Sequence, residues 1–183
     1  MDGTLLNSQK ALTDRVRSAI ATAKEQGIKV VLASGRPFEG MLPTLQSLGL
    51  DGEDDYVLTY NASLILKVAC QSVIKSSTLT GRDAIELYQL ANKLDINILA
   101  YSMKHGLITP KENTYTDYEA KLNGIEFSLY DFNQLDENDD IIKIMMIDEP
   151  EQLARGIKLL PKGMQEKYSM AQSTPFFYEF MNK

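Results

Sequence analysis

The sequence predicts an α/β protein that passes into an α+β unit, and three observations predict it. Up to about residue 60 the chain reads loop, helix, strand, helix, strand, the rhythm of a doubly wound sheet. Two strongly apolar runs in that stretch, "IKVVLA" and "YVLTY", have the β-branched composition of strands buried in a parallel sheet. After about residue 80 the rhythm changes to helices separated by paired, antiparallel-looking strands.

Each element has a local reason. Thr13 is placed to cap a helix running to Gln26, whose Val16, Ala19, Ile20 and Ala23 fall on one face. Gly27 ends it as the residue that tolerates a left-handed backbone. "IKVVLA" follows as a strand, "SGRPF" breaks it, and a second helix runs toward Leu48, closed by Gly49. "YVLTY" is the next strand and "NAS" turns it. In the second part Thr80 caps a helix with Leu87, Leu90, Ala91 and Leu94 on one face. "INILAYS" and "GLITP" read as paired strands, and "TYTDYEAKLNG" as a short helix or a loop. "IIKIMMID" is a strand, "EPEQLARGIKLL" a helix with Glu and Pro in its first turn, and "KYSMAQS" and "FFYEFMN" two further strands. The expected division is residues 1–80 and 81–183.

Composition narrows the function. The chain has 183 residues, 44% hydrophobic and 24% charged, as in ordinary globular proteins. Its net charge of −6 argues against a nucleic-acid footprint. A single cysteine, Cys70, leaves no internal disulfide and no cysteine-based metal cage. No signal-peptide pattern and no membrane-length apolar run occurs, so a cytoplasmic location without membrane partners is expected. Oligomeric state is not readable.

Three short stretches stand where strands end: Asp2-Gly3-Thr4, Ser34-Gly35-Arg36 and Tyr60-Asn61. A hydroxyl residue and a glycine at a strand end let O–H and N–H groups converge on one anion. An adjacent arginine suits phosphate or carboxylate. The plainer reading of "SGR" is a strand-to-helix turn with a solvated arginine, and of Asn61 a favoured turn residue. His105, the one histidine, lies in an expected hairpin turn, which argues against a histidine-based triad or zinc site. "QLDENDD" reads as a solvated acidic loop, with a carboxylate metal site as the alternative. Side chains near Tyr101, His105, Tyr115 and Tyr118 are within reach of a substrate held by the second part, but surface tyrosines are more often packing residues, and none is taken as a site residue.

Taken together, M-D-G-T-L-L, V-V-L-A-S-G-R-P and L-T-Y-N resemble the haloacid dehalogenase superfamily, and more closely its Cof-type branch of bacterial sugar-phosphate phosphatases. "KIMMIDEP" and "STPFFYEFMNK" resemble that branch's cap. The resemblance implies a partial Rossmann-like core, with strand one and the C-terminal half missing, carrying a C2-type α+β cap. It implies hydrolysis of small phosphate monoesters, sugar phosphates among them, through an aspartyl-phosphate formed by the first aspartate of a D-x-D pair, with Mg²⁺. By position Asp2 matches the second aspartate, the general acid/base, and its backbone carbonyl a metal ligand. Ser34 and Gly35 match the phosphate-holding pair, and Arg36 and Asn61 match positions facing substrate or cap. The nucleophilic aspartate would precede Met1, and no G-D-x-x-N-D motif for completing the metal site occurs in the 183 residues. The expectation is therefore a chain that is not itself a competent phosphatase, with the first 80 residues its less stable part or covered by a partner chain. A non-catalytic sugar-phosphate-binding module and one half of a split enzyme are the competing readings.

Overall fold

The computed structural model describes Met1 and residues 3–183; Asp2 lies outside the described residues. The chain divides into two compact units, Met1–Ser76 and Ser77–Lys183.

The first unit opens with helix α1 (Asp14–Glu25), capped by the Thr13 hydroxyl, which accepts from the Val16 N–H. Gly27, at φ +77°, closes the helix while the Ile28 N–H bonds back to the Ala23 carbonyl. Strand β1 (Leu32–Ala33) leads into helix α2 (Phe38–Ser47), and strand β2 (Tyr56–Thr59) pairs with β1 in parallel. Strands β3 (Leu64–Lys67) and β4 (Val73–Ser76) then extend the sheet antiparallel, in the order β1-β2-β3-β4. The sequence reading contained no β3–β4 hairpin, because "LILK" and "VIKS" are short and flank a turn with no glycine.

Two expectations are corrected here. "IKVVLA" is expected as a strand largely buried on both faces, with an edge left unpaired where strand one is missing. Only Leu32 and Ala33 pair, and Ile28 and Val31 are 54% and 44% exposed. A parallel strand is buried by neighbours on both edges and by helices on both faces. Among the described residues β1 has one sheet neighbour, β2. The apolar face expected of α1 likewise buries no residue fully. Instead α1 holds α2 by its charges: Arg17 donates to the Ser47 carbonyl and Lys24 to the Gly49 carbonyl, groups left unpaired at the end of α2.

The second unit is a seven-stranded sheet. Strand β5 (Leu79–Thr80) pairs with the start of β9 and leads into helix α3 (Gly81–Lys93). Thr80 and Asp83 form a reciprocal capping box at its start. Strands β6 (Asn97–Ser102) and β7 (Gly106–Thr109) form the expected hairpin. The segment left open between helix and loop is a helix, α4 (Thr114–Asn123), capped by Asn113 and ended by Gly124 at φ +66°. Strand β8 (Phe127–Leu129) runs parallel to β7, a pairing absent from the sequence reading. Then come β9 (Asp140–Ile147), helix α5 (Pro150–Lys158), a four-residue helix α6 (Met164–Lys167), β10 (Tyr168–Thr174) and β11 (Phe177–Asn182). The order β10-β11-β9-β6-β7-β8 puts β9 at the centre. One core joins Ala84, Leu87 and Ala91 of α3, Leu153 of α5, and Ile98, Ile144, Met146 and Phe180 of the sheet. Among the described residues no helix is long and apolar enough to cross a membrane.

Candidate anion site

Of the three stretches singled out, the structure brings two together. The parallel pairing of β1 with β2 continues into Ser34, whose N–H donates to the Leu58 carbonyl at 3.0 Å. The chain then turns at Ser34-Gly35-Arg36 at the C-terminal end of β1, the place where open α/β sheets hold ligands. A second turn at the end of β2 clasps it: the Asn61 N–H donates to the Ser34 carbonyl at 2.9 Å and the Tyr60 N–H to the Arg36 carbonyl at 3.1 Å. The third stretch rests on Asp2, outside the described residues.

The clasp requires an unusual backbone. Tyr60, Asn61 and Ala62 have φ of 49°, 57° and 71°, three successive non-glycine residues in the left-handed region. The cost is roughly 1 kcal/mol or more for each. Asn tolerates this conformation, whereas a bulky tyrosine does so only when its surroundings impose it. Tyr60 is buried, and its N–H is spent on Arg36.

Gly35 has a packing reason. A Cβ there would lie 2.7 Å from the Asn61 side-chain oxygen. The Ser34 hydroxyl accepts from the Arg36 N–H at 3.3 Å, so its own proton is left to donate outward. A hydroxyl donor and a main-chain turn that includes Arg36 thus share one strand end, residue types suited to a tetrahedral oxyanion.

Metal binding finds no such support. Among the described residues no three His, Cys, Asp or Glu side chains lie close enough to hold an ion. The acidic loop is neither a cluster nor simply solvated. Glu137 pairs with Arg82, Asp140 accepts from Thr78 at 2.7 Å, and Asp139 lies 3.8 Å from both Lys104 and His105.

The sequence reading missed a buried polar group in the second unit. Lys143, 2% exposed within the apolar run of β9, has its ammonium 3.6 Å from Glu179 of β11 and 5.3 Å from the Tyr101 ring centre. The Tyr101 hydroxyl donates to Glu119 of α4 at 2.7 Å. The signal was a lysine inside "IIKIMMI", a charge that burial tolerates only beside a partner. A further network links Asp83, Lys167 and Tyr168. Burial alone would raise the Asp83 carboxyl, but Lys167, Thr80 and Tyr168 outweigh it and hold it down at about 2. Burial and the bond to Asp83 push Tyr168 up to about 12, against the opposing pull of Lys167. A cavity of about 740 Å³ near Asn97, Lys111, Asp148 and Arg155 contains none of the expected site residues.

Residues 1–183 match the family described as haloacid dehalogenase-like hydrolase. The chain is 36% identical over 184 residues to YxeH of Bacillus subtilis strain 168, which carries a phosphatase designation; the match covers all of this chain and 68% of that protein. A haloacid dehalogenase-like hydrolase from Bacteroides thetaiotaomicron superposes with a TM-score of 0.82 at 28% identity, again over all of this chain and 68% of the other. The subclass IIB sugar phosphatase BT4131 superposes at 0.76 and 17% identity, over 100% and 68%, a likeness of fold.

Proposed function

The chain belongs to the haloacid dehalogenase-like hydrolases, and on that premise we propose that its strand-end turn holds the phosphoryl group of a small phosphate monoester, a sugar phosphate first among the candidates. The observation that carries this reading is the turn Ser34-Gly35-Arg36 clasped by Tyr60 and Asn61. In this reading the Ser34 hydroxyl donates to a phosphoryl oxygen, the Gly35 N–H lies beside it, and the Arg36 guanidinium offsets the anion's charge. Asn61 faces the substrate from the second turn. Asp2 is the residue assigned to pass a proton to the leaving oxygen. Residues 1–80 are assigned as the core and 81–183 as the cap that selects the leaving group. The phosphatase designation of YxeH and the sugar phosphatase among the fold neighbours support this substrate class. A cytoplasmic location and a small phosphorylated partner belong to the same reading.

The family resemblance implies Mg²⁺. The described residues do not by themselves make a site for it, so no step here is routed through the metal. These 183 residues contain neither a D-x-D pair nor a G-D-x-x-N-D motif. The chain on its own is therefore read as binding phosphate esters without turning them over. The test is to incubate the purified chain with p-nitrophenyl phosphate and Mg²⁺ and, separately, to titrate it with inorganic phosphate. No release of nitrophenol, together with phosphate binding that Ser34→Ala weakens, is expected. Mg²⁺-dependent turnover abolished by Asp2→Ala would overturn the non-catalytic part. Phosphate binding indifferent to Ser34→Ala would overturn the site.

A further inference from the structure

Thr59 is the last residue of β2 and 0% exposed, and its hydroxyl oxygen has no hydrogen-bond partner among the described residues. Its position follows from the pairing. Ala33 lies opposite Leu58 in the parallel pair, the Ser34 N–H still donates to the Leu58 carbonyl at 3.0 Å, and Ser34 and Thr59 are the next residues of the two segments. Residues facing each other in a parallel ladder carry their side chains to the same face. The pleat agrees: Leu32, Val57 and Thr59 are the buried positions of the two strands. The side chains of Ser34 and Thr59 therefore leave neighbouring segments toward the same face.

Packing does not account for the choice of threonine. Valine has the same shape without a polar atom, and a buried hydroxyl lacking a partner is destabilising against it. Nearby main-chain acceptors are engaged: the Ser34 carbonyl takes the Asn61 N–H and the Arg36 carbonyl the Tyr60 N–H. The Ser34 hydroxyl oxygen receives one long bond, 3.3 Å from the Arg36 N–H, and keeps a second lone pair.

We propose that Thr59 is a positioning residue of the anion site, whose hydroxyl donates to the Ser34 hydroxyl oxygen when an oxyanion draws the Ser34 proton outward. This rests on the phosphate-binding reading of the Ser34 turn. Hydrogen bonds at such sites are often long without ligand and tighten with it. A donor behind Ser34 polarises its O–H and strengthens the bond to the anion. Nothing is transferred; the hydroxyls only reorient.

The test titrates inorganic phosphate into the full 183-residue chain and into its Thr59→Val, Thr59→Ser and Ser34→Ala variants, with melting temperatures alongside. Thr59→Val is expected to weaken phosphate binding roughly fivefold, the worth of one hydrogen bond. It should leave the melting temperature unchanged or raised. Thr59→Ser, which keeps the hydroxyl, should bind within about twofold of wild type. Binding by Thr59→Val equal to wild type overturns the proposal, as does an equal loss in Thr59→Ser, which would assign the effect to the methyl group. If wild type and Ser34→Ala bind alike, the anion-site reading fails and takes the proposal with it. If Ser34→Ala alone weakens binding, only the role of Thr59 falls.

Discussion

Two apolar runs of nearly equal appearance behave differently in the two units. "IKVVLA" in the first yields a two-residue strand with Ile28 and Val31 exposed. "IIKIMMI" in the second is buried at every position from Ile141 to Ile147. Composition does not separate them; pairing does. β9 has β11 and β6 as sheet neighbours, with β5 at its start, whereas β1 has β2 alone among the described residues. A run of β-branched residues states that a strand can be buried, and the neighbours decide whether it is.

The contrast is most strongly tested by truncating one side chain from each strand system. Phe180→Ala, at a fully buried position of β11, should cost about 3–5 kcal/mol in urea unfolding, through lost transfer energy and a cavity. Val31→Ala, just before β1, should stay within about 0.5 kcal/mol, as surface changes do. Comparable losses at the two positions would remove the distinction drawn here.

A pair of glycines sharpens it. A Cβ at Gly81 would lie 1.9 Å from the backbone oxygen of Asp136, an atom that cannot swing aside. Gly81→Ala should therefore cost about 1–3 kcal/mol of stability in the second unit. At Gly35 the clashing atom is the Asn61 side-chain oxygen, which can rotate away. Gly35→Ala should leave the melting temperature nearly unchanged and weaken phosphate binding. If Gly35→Ala instead unfolds the protein, the turn belongs to the fold as much as to the site.

The smallest effect is a matter of pH. The Asp83 carboxyl is held at about 2 in the folded chain against an ordinary 3.8. Its ionised form therefore stabilises the second unit above about pH 4, and that contribution is lost as pH falls through about 2. After allowance for solvent screening it is worth about 1 kcal/mol. Asp83→Asn should lower stability by that amount at neutral pH, and the gap to wild type should close near pH 2. A constant gap across this range would assign the loss to the capping box rather than to charge.

Most of the second unit was legible because its signals are local. Thr80 before a periodic helix and Pro150 at the start of another each act within one turn, whereas the helix ended by Gly124 was left open against a loop. The strand β8 was not legible, since "FSL" has no pattern until β7 lies beside it. In the candidate site, Ser34, Gly35, Arg36 and Asn61 were readable as strand-end residues. What brings them together was not: the left-handed backbone from Tyr60 to Ala62 is imposed by the two turns on each other. Thr59 escaped notice for a related reason. In sequence it is an ordinary strand threonine, and what singles it out, a buried hydroxyl without a partner among the described residues at the end of β2, is visible only in the fold.

That left-handed clasp bears on how such a site changes over generations. The hydrogen bonds from Tyr60 to Arg36 and from Asn61 to Ser34 run between main-chain atoms, so the outline of the loop survives replacement of the side chains at its rim. Exchange of the Arg36 side chain leaves its carbonyl, and so the bond from the Tyr60 N–H, in place. Side chains at the rim can then change one at a time, while the left-handed backbone from Tyr60 to Ala62, tied by main-chain bonds, keeps its course.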